Sequence, residues 1–357
     1  MFEKILGRFG RPRKLKLALK IFFVQQLGVM VKSGISLAVA LKTLAEQTSS
    51  KSFRKILADI QQGVEKGNLL SKGLEQYQYV FGDLFINMIK AGEASGKLED
   101  VLNQLFIQMK KDNEIISKVK GAMIYPMIVI AMMVAIGVLV LVYVIPTMSG
   151  IFLELNVTLP LPTRILIASS QFAVTYGIFI AIAAVVGIIA LNRIIKTKEG
   201  KLKFHQLLLK MPVAGTIIKK INLARFCRTL SSLLKTDIPI VQSFEITARI
   251  LGNALFKNAL SDAKEKIKKG VNIKDSLTPY MNLFPPVVLQ MIAVGEETGS
   301  LDEILEESAS FYEEDVRQTM ENLPSIIEPL LMVLLGIGVG GMAVAIIMPM
   351  YSLSQAI

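Results

Sequence analysis

Two glutamates stand out as residues that could do chemistry, because each lies in one copy of a repeated eleven-residue stretch. Residues 88–98 have the sequence MIKAGEASGKL, and residues 291–301 have the sequence MIAVGEETGSL. A carboxylate at Glu93 or Glu296 can accept hydrogen bonds from backbone N–H groups or bind a partner. We take both stretches as candidate helix corners and partner contacts. Their candidate residues are Gly92, Glu93, Ser95, Gly96, Gly295, Glu296, Thr298 and Gly299.

Helix-ending residues surround each glutamate. Gly92 and Gly295 follow short apolar runs, where glycine is expected to end a helix in a left-handed cap. Ser95 and Thr298 are then expected to cap the helix that follows. A tight corner between two helices accounts for the glycines and the hydroxyl residues, but it requires the carboxylates less strongly. A structural role and a partner-binding role therefore both stay open for the glutamates.

Recognisable catalytic arrangements are absent from the sequence. It has one histidine, His205, and one cysteine, Cys227, which limits acid–base catalysis and metal binding and rules out an intramolecular disulfide. A Walker A phosphate loop, a His-Glu-x-x-His pair and a Gly-x-Ser-x-Gly elbow are also missing. We therefore predict a protein that is not an enzyme and binds no cofactor or metal. His205 and Cys227 are interpreted as structural residues.

The repeated stretch belongs to a longer internal repeat. The offset between its copies, 291 minus 88 or 203 residues, holds without a gap over most of each half of the chain. A fixed offset that matches glycines, prolines and aromatic residues is typical of a duplicated structural unit. We place the unit at residues 21–153 and again at 224–355. Matched residues include Phe23 and Phe226, Tyr77 and Tyr280, Asp112 and Asp315, and Pro126 and Pro329.

Three stretches contain no charged residue, namely residues 121–153, 165–192 and 329–357. Each is longer than the roughly 20 residues that a helix needs to cross the hydrocarbon core of a bilayer. Apolar residues also make up 52% of the chain, more than an ordinary soluble protein requires. The sequence therefore predicts an integral membrane protein with three spanning helices.

The basic residues that give the chain its net charge of +11 are unevenly distributed, and their distribution predicts the membrane topology. Lys and Arg are concentrated in residues 1–120 and 193–323, and residues 147–163 contain neither. Basic flanks lie on the cytoplasmic side of a membrane. We therefore expect a multi-pass membrane protein with its N-terminus in the cytoplasm and its C-terminus outside, and no direct binding of nucleic acid. Residues 1–20 either bind anionic membrane lipid or form a solvated tail.

The segments outside the apolar stretches have helical periodicity. Apolar residues recur at i, i+3 or i+4 and i+7, and breakers such as Gly34, Gly67 and Gly82 separate the runs. The predicted fold is an all-α membrane protein with two repeated six-helix cytoplasmic bundles and three transmembrane helices. The predicted segments are a basic arm (1–20), bundle 1 (21–121), transmembrane helix 1 (122–146), an extracytoplasmic loop (147–163), transmembrane helix 2 (164–192), a basic cytoplasmic connector (193–223), bundle 2 (224–323), transmembrane helix 3 (324–349) and an extracytoplasmic tail (350–357).

Two such bundles, each closed by a Gly-Glu-x-[Ser/Thr]-Gly corner and followed by a span, resemble the type II secretion F protein family. That family includes the PilC-type platform proteins of type IV pili. Residues 211–244, MPVAGTIIKKINLARFCRTLSSLLKTDIPIVQSF, are especially similar to the start of the family's second bundle. One departure is Asp237, which stands where the first copy has Gly34 and where the family commonly has glycine. The turn at Asp237 is therefore expected to be rearranged.

The resemblance implies a platform protein of a type IV pilus or type II secretion assembly machine. Such a protein couples a hexameric cytoplasmic ATPase to the extraction of pilin or pseudopilin subunits and to filament assembly. Other inner-membrane assembly proteins and further copies of the chain, as a homo-oligomer, are the remaining implied partners. Alternatives are a small transporter or channel and a membrane-anchored signalling adaptor. A transporter would place its repeat within the membrane and carry charges at mid-depth, unlike this chain.

Overall fold

A computed structural model describes residues 15–154 and 161–356. Helices are the regular elements of these two ranges, and neither range contains a β-strand. The chain divides into two compact units. Of the described residues, the helical unit contains 15–117 and 205–317, and the apolar unit contains 118–154, 161–204 and 318–356. The predicted all-α fold is confirmed.

Bundle 1 of the helical unit is built around three phenylalanines. The ring of Phe23 lies 5.5 Å from that of Phe53 and 5.9 Å from that of Phe81, measured between centroids. Burial of large aromatic side chains is the main source of stability in such a core. The helices of bundle 1 are α1 (Leu17–Lys32), α2 (Leu37–Gln47), α3 (Lys51–Glu65), α4 (Leu70–Glu75), α5 (Gln78–Phe81), α6 (Asp83–Ser95) and the first part of α7 (Leu98–Leu139).

Bundle 2 repeats this core at the matching positions of the internal repeat. Phe284 lies 5.1 Å from Phe226 and 5.3 Å from Phe256, again between ring centroids. Between the bundles the chain continues through α8 (Ile145–Glu154), α9 (Leu161–Lys196) and α10 (Lys198–Lys210). The helices of bundle 2 are α11 (Ala214–Lys235), α12 (Ile240–Ile250), α13 (Ala254–Ile267), α14 (Ile273–Leu277), α15 (Pro286–Thr298) and the first part of α16 (Leu301–Ala356).

The turn after the first helix is the same in both bundles. Gly34 has φ of 76° and Asp237, at the matching position, has φ of 59°. Aspartate tolerates the left-handed region better than most residues because it is short and polar. Its carboxylate also lies 2.7 Å from the Nζ of Lys97 in bundle 1. The expectation of a rearranged turn at Asp237 is therefore wrong.

The two bundles pack against each other inside the helical unit. Gln108 of α7 donates to Thr229 at 3.2 Å and accepts from Ser232 at 3.3 Å, and all three side chains are buried. Nearby, Arg225 of α11 donates to Asp112 of α7 at 2.7 Å. Because α11 lies against both bundles, most of its surface is buried, including several polar side chains. The contact between the bundles therefore combines these buried polar side chains with apolar ones, because Leu233, Ile238 and Ile246 of bundle 2 belong to the hydrophobic core of bundle 1.

The apolar unit contains the membrane-spanning candidates. Three helical stretches, Leu98–Gly150, Thr163–Lys196 and Leu301–Val344, are long and apolar enough to cross a membrane. A short π-helical turn, Val140–Val144, joins α7 to α8. Such a turn disturbs the regular hydrogen-bond ladder. The Leu141 carbonyl in that turn accepts a hydrogen bond from the hydroxyl of Ser170 on α9 at 2.5 Å, so a polar contact joins two apolar helices.

Helices extend across several of the predicted segment boundaries. The predicted connector, residues 193–223, is mostly helical because it contains α10 and the first half of α11. The predicted tail, 350–357, is helical as far as Ala356. The predicted loop, 147–163, is helical at both ends, and its residues 155–160 lie outside the described residues. In the predicted arm, residues 1–14 also lie outside them, and α1 begins at Leu17.

Candidate functional site

Each repeated corner begins where a long helix ends at a glycine. Helix α6 continues to Ser95 and ends at Gly96, whose φ is 72°. Helix α15 likewise continues to Thr298 and ends at Gly299, with the same φ. The left-handed caps predicted at Gly92 and Gly295 therefore lie four residues too early. Glycine is favoured at the observed position because it has no Cβ to clash there.

Gly92 and Gly295 are buried inside their helices and allow the next helix to approach closely. A Cβ on Gly92 would lie 2.8 Å from the Cγ2 of Val101 and 3.2 Å from the Cα of Leu98. A Cβ on Gly295 would lie 2.9 Å from the Cα of Leu301. Real Cβ atoms essentially never lie within 3.0 Å of such atoms. The first glycine of each stretch is thus a packing residue.

The hydroxyl residues of the corners belong to the helix that ends, not to the one that begins. Ser95 donates to the carbonyl of Ala91 at 2.9 Å, and Thr298 donates to the carbonyl of Val294 at 2.7 Å. These are bonds to the carbonyl four residues earlier, which serine and threonine commonly make within helices. The prediction that Ser95 and Thr298 cap the following helices is therefore wrong.

Both corner carboxylates accept hydrogen bonds from the start of a short helix earlier in the chain. Glu93 accepts from the backbone N–H of Leu70 at 2.5 Å and of Ser71 at 3.2 Å. In bundle 2, Glu296 accepts from the N–H of Ile273, with its two oxygens at 2.9 and 3.0 Å. Leu70 and Ile273 occupy matching positions of the internal repeat, so the same contact occurs in both bundles. The structural interpretation of the glutamates is supported by this geometry.

The short helices need an external cap because their own N-cap residues provide none. Leu69 precedes α4 and has no polar side chain, and the amide of Asn272 before α14 makes no capping bond. The first N–H groups of a helix have no partner within the helix. A negative charge there is also favoured by the helix dipole. Glu93 and Glu296 therefore act as N-caps supplied by tertiary structure, 23 residues downstream.

A second pair of polar contacts is also repeated. Tyr77 donates to Asp59 at 2.6 Å, and Tyr280 donates to Asp262 at 3.0 Å. The hydrogen bond to Asp59 and burial raise the pKa of Tyr77 to about 12. Burial and the bond to Asp262 raise the pKa of Tyr280 as well. Tyr77 follows α4 and Asp59 lies on α3, so the first contact ties the chain after α4 to α3. The contact between Tyr280 and Asp262 ties the chain after α14 to α13 in the same way. Each short helix is therefore held by a corner carboxylate at its start and by a tyrosine just after its end.

Bundle 2 carries a buried ionic network that the sequence did not predict. The guanidinium of Arg228 on α11 makes two hydrogen bonds to Glu313 of α16, at 2.7 and 2.9 Å. It also contacts Glu306 at 3.2 Å, and Glu306 pairs with Lys235. The hydrogen bond from Lys235 lowers the pKa of Glu306. Lys111 of bundle 1 lies 3.5 Å from Glu313, so the network also reaches the other bundle.

The single histidine and the single cysteine have structural surroundings. His205 accepts a hydrogen bond through Nδ1 from the backbone N–H of Ala254, at the start of α13, at 2.8 Å. Cys227 is fully buried, and burial raises its pKa to about 12, so it stays a thiol near neutral pH. Within the described residues, no group of three or more His, Cys, Asp and Glu side chains could hold a metal ion.

Two helical bundles built on the same corner, with helices long enough to cross a membrane, define a duplicated all-α membrane protein. The family described as type II secretion system (T2SS), protein F, matches residues 23–146 and again 226–349. The chain therefore belongs to the type II secretion system protein F family. The two matches are separated by the offset of the internal repeat, and the resemblance stated from the sequence is confirmed.

Individual relatives support this assignment. The chain is 34% identical to the type IV pilus assembly protein PilC of Myxococcus xanthus, over 94% of this chain and 81% of that protein. It is 31% identical to the type IV pilus assembly protein PilC of Pseudomonas aeruginosa, over 99% and 95% of the two chains. It is also 29% identical to the type II secretion system protein F of Pseudomonas aeruginosa, over 98% and 86%.

Proposed function

We propose that the protein is an inner-membrane platform of a type IV pilus or type II secretion assembly machine. Family membership across both repeats carries this proposal, because relatives in both kinds of machine match nearly the whole chain. In this function the protein is not an enzyme. It couples a hexameric cytoplasmic ATPase to the extraction of pilin or pseudopilin subunits and to filament assembly.

The distribution of polar and apolar helices supports the coupling role. The helical unit offers a large folded surface to soluble partners, and the three apolar helices are suited to contact lipid and the apolar segments of subunits. The sequence has no Walker A phosphate loop that would let it bind ATP by that device. An external ATPase is then the source of energy. Other inner-membrane assembly proteins complete the set of partners.

The membrane orientation is part of the proposal. Lys and Arg flank the apolar stretches on the side of the bundles, whereas residues 147–163 contain none. By the positive-inside rule, the N-terminus and both bundles face the cytoplasm and the C-terminus lies outside. A reporter fused after residue 357 that is active only outside the cytoplasm is expected to be active. Activity of a cytoplasm-specific reporter at the same place would contradict the orientation.

We assign the corner carboxylates an indirect role in partner binding. Glu93 and Glu296 are occupied by the backbone of α4 and α14, so they fix the position of these short helices. Charge reversal at both positions is expected to weaken ATPase binding by displacing α4 and α14, while membrane insertion survives. In a Glu93→Gln and Glu296→Gln double variant, the loss of ATPase affinity should be proportional to the loss of hydrogen-exchange protection in α4 and α14. Loss of binding with full protection would instead indicate direct contact.

Co-purification of partners tests the proposed function. The full-length tagged protein is crosslinked briefly in cells and extracted in mild detergent, and the captured proteins are identified by mass spectrometry. The expected result is a secretion-type ATPase together with prepilin-like subunits, whose identity also distinguishes a pilus from a secretion system. A tagged membrane protein of similar abundance is the control. Capture of solute-binding or receptor proteins, with neither expected partner, would refute the proposal.

A further inference from the structure

The contact between the two bundles uses a different face of each. Bundle 1 contributes α6 and α7, through residues such as Gln108, and bundle 2 contributes α11 and α12, through residues such as Ser232. The matching helices are α15 and α16 in bundle 2, and α1 and α2 in bundle 1. Because the two faces are not equivalent, this contact is heterologous and can repeat from head to tail. Within one chain this contact forms once, between bundle 1 and bundle 2. The α1–α2 side of bundle 1 and the α15–α16 side of bundle 2 are then not used by it.

The first leftover face, which we call the α1–α2 face, consists of Phe22, Val29, Ile35 and Val39. Val29 is 55% exposed, whereas Ser232 at the matching position of bundle 2 is 2% exposed. Ile35 is 40% exposed, whereas Ile238 at the matching position is 4% exposed. Bundle 2 therefore buries these positions against bundle 1, whereas the matching positions of bundle 1 carry apolar side chains that are exposed.

The second leftover face, which we call the α15–α16 face, consists of Val287, Val294 and Phe311. Phe311 is 63% exposed, whereas Gln108 at the matching position of bundle 1 is 5% exposed. Val287 and Val294 are exposed as well. A large apolar side chain such as Phe311 is unfavourable in water and is a typical anchor of a protein interface.

We propose that the α15–α16 face of one chain binds the α1–α2 face of a second copy of the same chain. The equivalence of the repeats carries this inference, because the second contact would reuse the arrangement that already joins the bundles within one chain. In this contact Phe311 takes the place of Gln108 and lies against Gln26 and Val29, which match Thr229 and Ser232. The contact is independent of the proposed function, since it needs only two copies in one membrane.

The charges at the matching positions are compatible with this contact. Lys111 lies 3.5 Å from Glu313 in the contact within the chain. The matching positions between two copies are Glu314 and Lys110, so the charges are again opposite. Like charges facing each other would disfavour the contact. Three other ion pairs join the bundles, namely Arg225 with Asp112, Lys97 with Asp237 and Arg249 with Asp83. Their matching positions between two copies carry at most one charge in each pair, and these positions are Phe22 with Asp315, Ser300 with Gly34 and Glu46 with Pro286.

Engineered cysteines test the contact in the full-length protein. One population of chains carries Val29→Cys and one tag, and the other carries Phe311→Cys and a second tag. Both are co-expressed, and membranes are treated with a short bifunctional thiol reagent. The native Cys227 is fully buried and is therefore protected from the reagent. We expect a crosslinked product that contains both tags and little product that contains the same tag twice.

A matched pair provides the control. Lys55→Cys lies on an exposed position of α3, a helix that contributes to neither face, and replaces Val29→Cys in the control population. The proposal would be overturned if the product with both tags were no more abundant than in this control. It would also be overturned if the main products joined two copies of the same face, or joined either face to a different protein. Phe311→Asp should weaken self-association by about tenfold or more, because it places a charge at the centre of an apolar contact. Unchanged self-association in a folded Phe311→Asp variant would also overturn it.

Discussion

Replacing Glu93 with alanine removes the cap of α4 and leaves two backbone N–H groups, those of Leu70 and Ser71, without their acceptor. A hydrogen bond to a charged group contributes about 1.5–3 kcal/mol net. The two bonds to Glu93 go to the two oxygens of one carboxylate, so their contributions do not simply add. We therefore expect Glu93→Ala to destabilise the local structure by about 3 kcal/mol. Glu296→Ala should cost about 2 kcal/mol, since Glu296 has a single donor, Ile273.

Hydrogen exchange followed by mass spectrometry measures this loss where it occurs. A difference of about 1.4 kcal/mol changes an opening equilibrium tenfold. Peptides that cover α4 should therefore exchange on the order of a hundredfold faster in Glu93→Ala, if exchange proceeds by local opening. Peptides that cover α14 should exchange roughly thirtyfold faster in Glu296→Ala. Glutamine keeps one oxygen acceptor but loses the charge, so Glu93→Gln should lie between wild type and alanine.

Glu297 provides a matched control, because it is an exposed carboxylate next to Glu296 in the same corner. Glu297→Ala should leave exchange of α14 within about twofold of wild type, as expected for a surface substitution. The capping interpretation would be refuted if Glu93→Ala and Glu296→Ala had equally small effects. An equal loss of protection throughout the bundle would also contradict it, because the cap is a local contact.

Three further perturbations test the packing, the ionic network and the buried thiol. Gly92→Ala should destabilise bundle 1 by about 1–3 kcal/mol in thermal unfolding, and Val101→Ala should cost less in the Gly92→Ala background than alone, because it removes the nearest clashing methyl group. Arg228→Met should cost up to about 3–5 kcal/mol, because the buried carboxylate of Glu313 then keeps only its 3.5 Å ion pair with Lys111, and adding Glu313→Gln should restore part of the stability if the pair is coupled. Burial raises the pKa of Cys227 from 9.0 to about 12, so its contribution to stability is complete below about pH 9 and is lost as the pH rises toward 12. Cys227→Ala should therefore lose less stability than wild type between these pH values, and equal pH profiles would refute this.

The sequence predicted the repeat, the helical bundles and the apolar helices because these depend on local spacing and composition. It did not predict which glycine ends each helix. Gly92 and Gly96 are both compatible with a corner, and the choice depends on how closely α7 approaches α6. The same argument applies to Gly295 and Gly299.

The capping role of the glutamates depends on contacts between residues that are distant in sequence. Glu93 binds backbone groups 23 residues earlier, so no local pattern shows the contact. One available signal was Leu69, which stands at a helix start without a capping side chain. Arg228 gave no comparable signal, because its carboxylate partner Glu313 is 85 residues away and is matched by Lys110 in the first repeat.

The buried polar part of the contact between the bundles shows how a contact within one chain can differ from a contact between separate chains. A covalent link holds two joined domains at an effective concentration on the order of millimolar, so their contact needs little intrinsic affinity. Gln108, Thr229 and Ser232 can therefore meet through hydrogen bonds that would be too weak to bring separate molecules together. A contact between separate chains has no such tether and depends on apolar area, which Val29 and Phe311 supply at the matching positions.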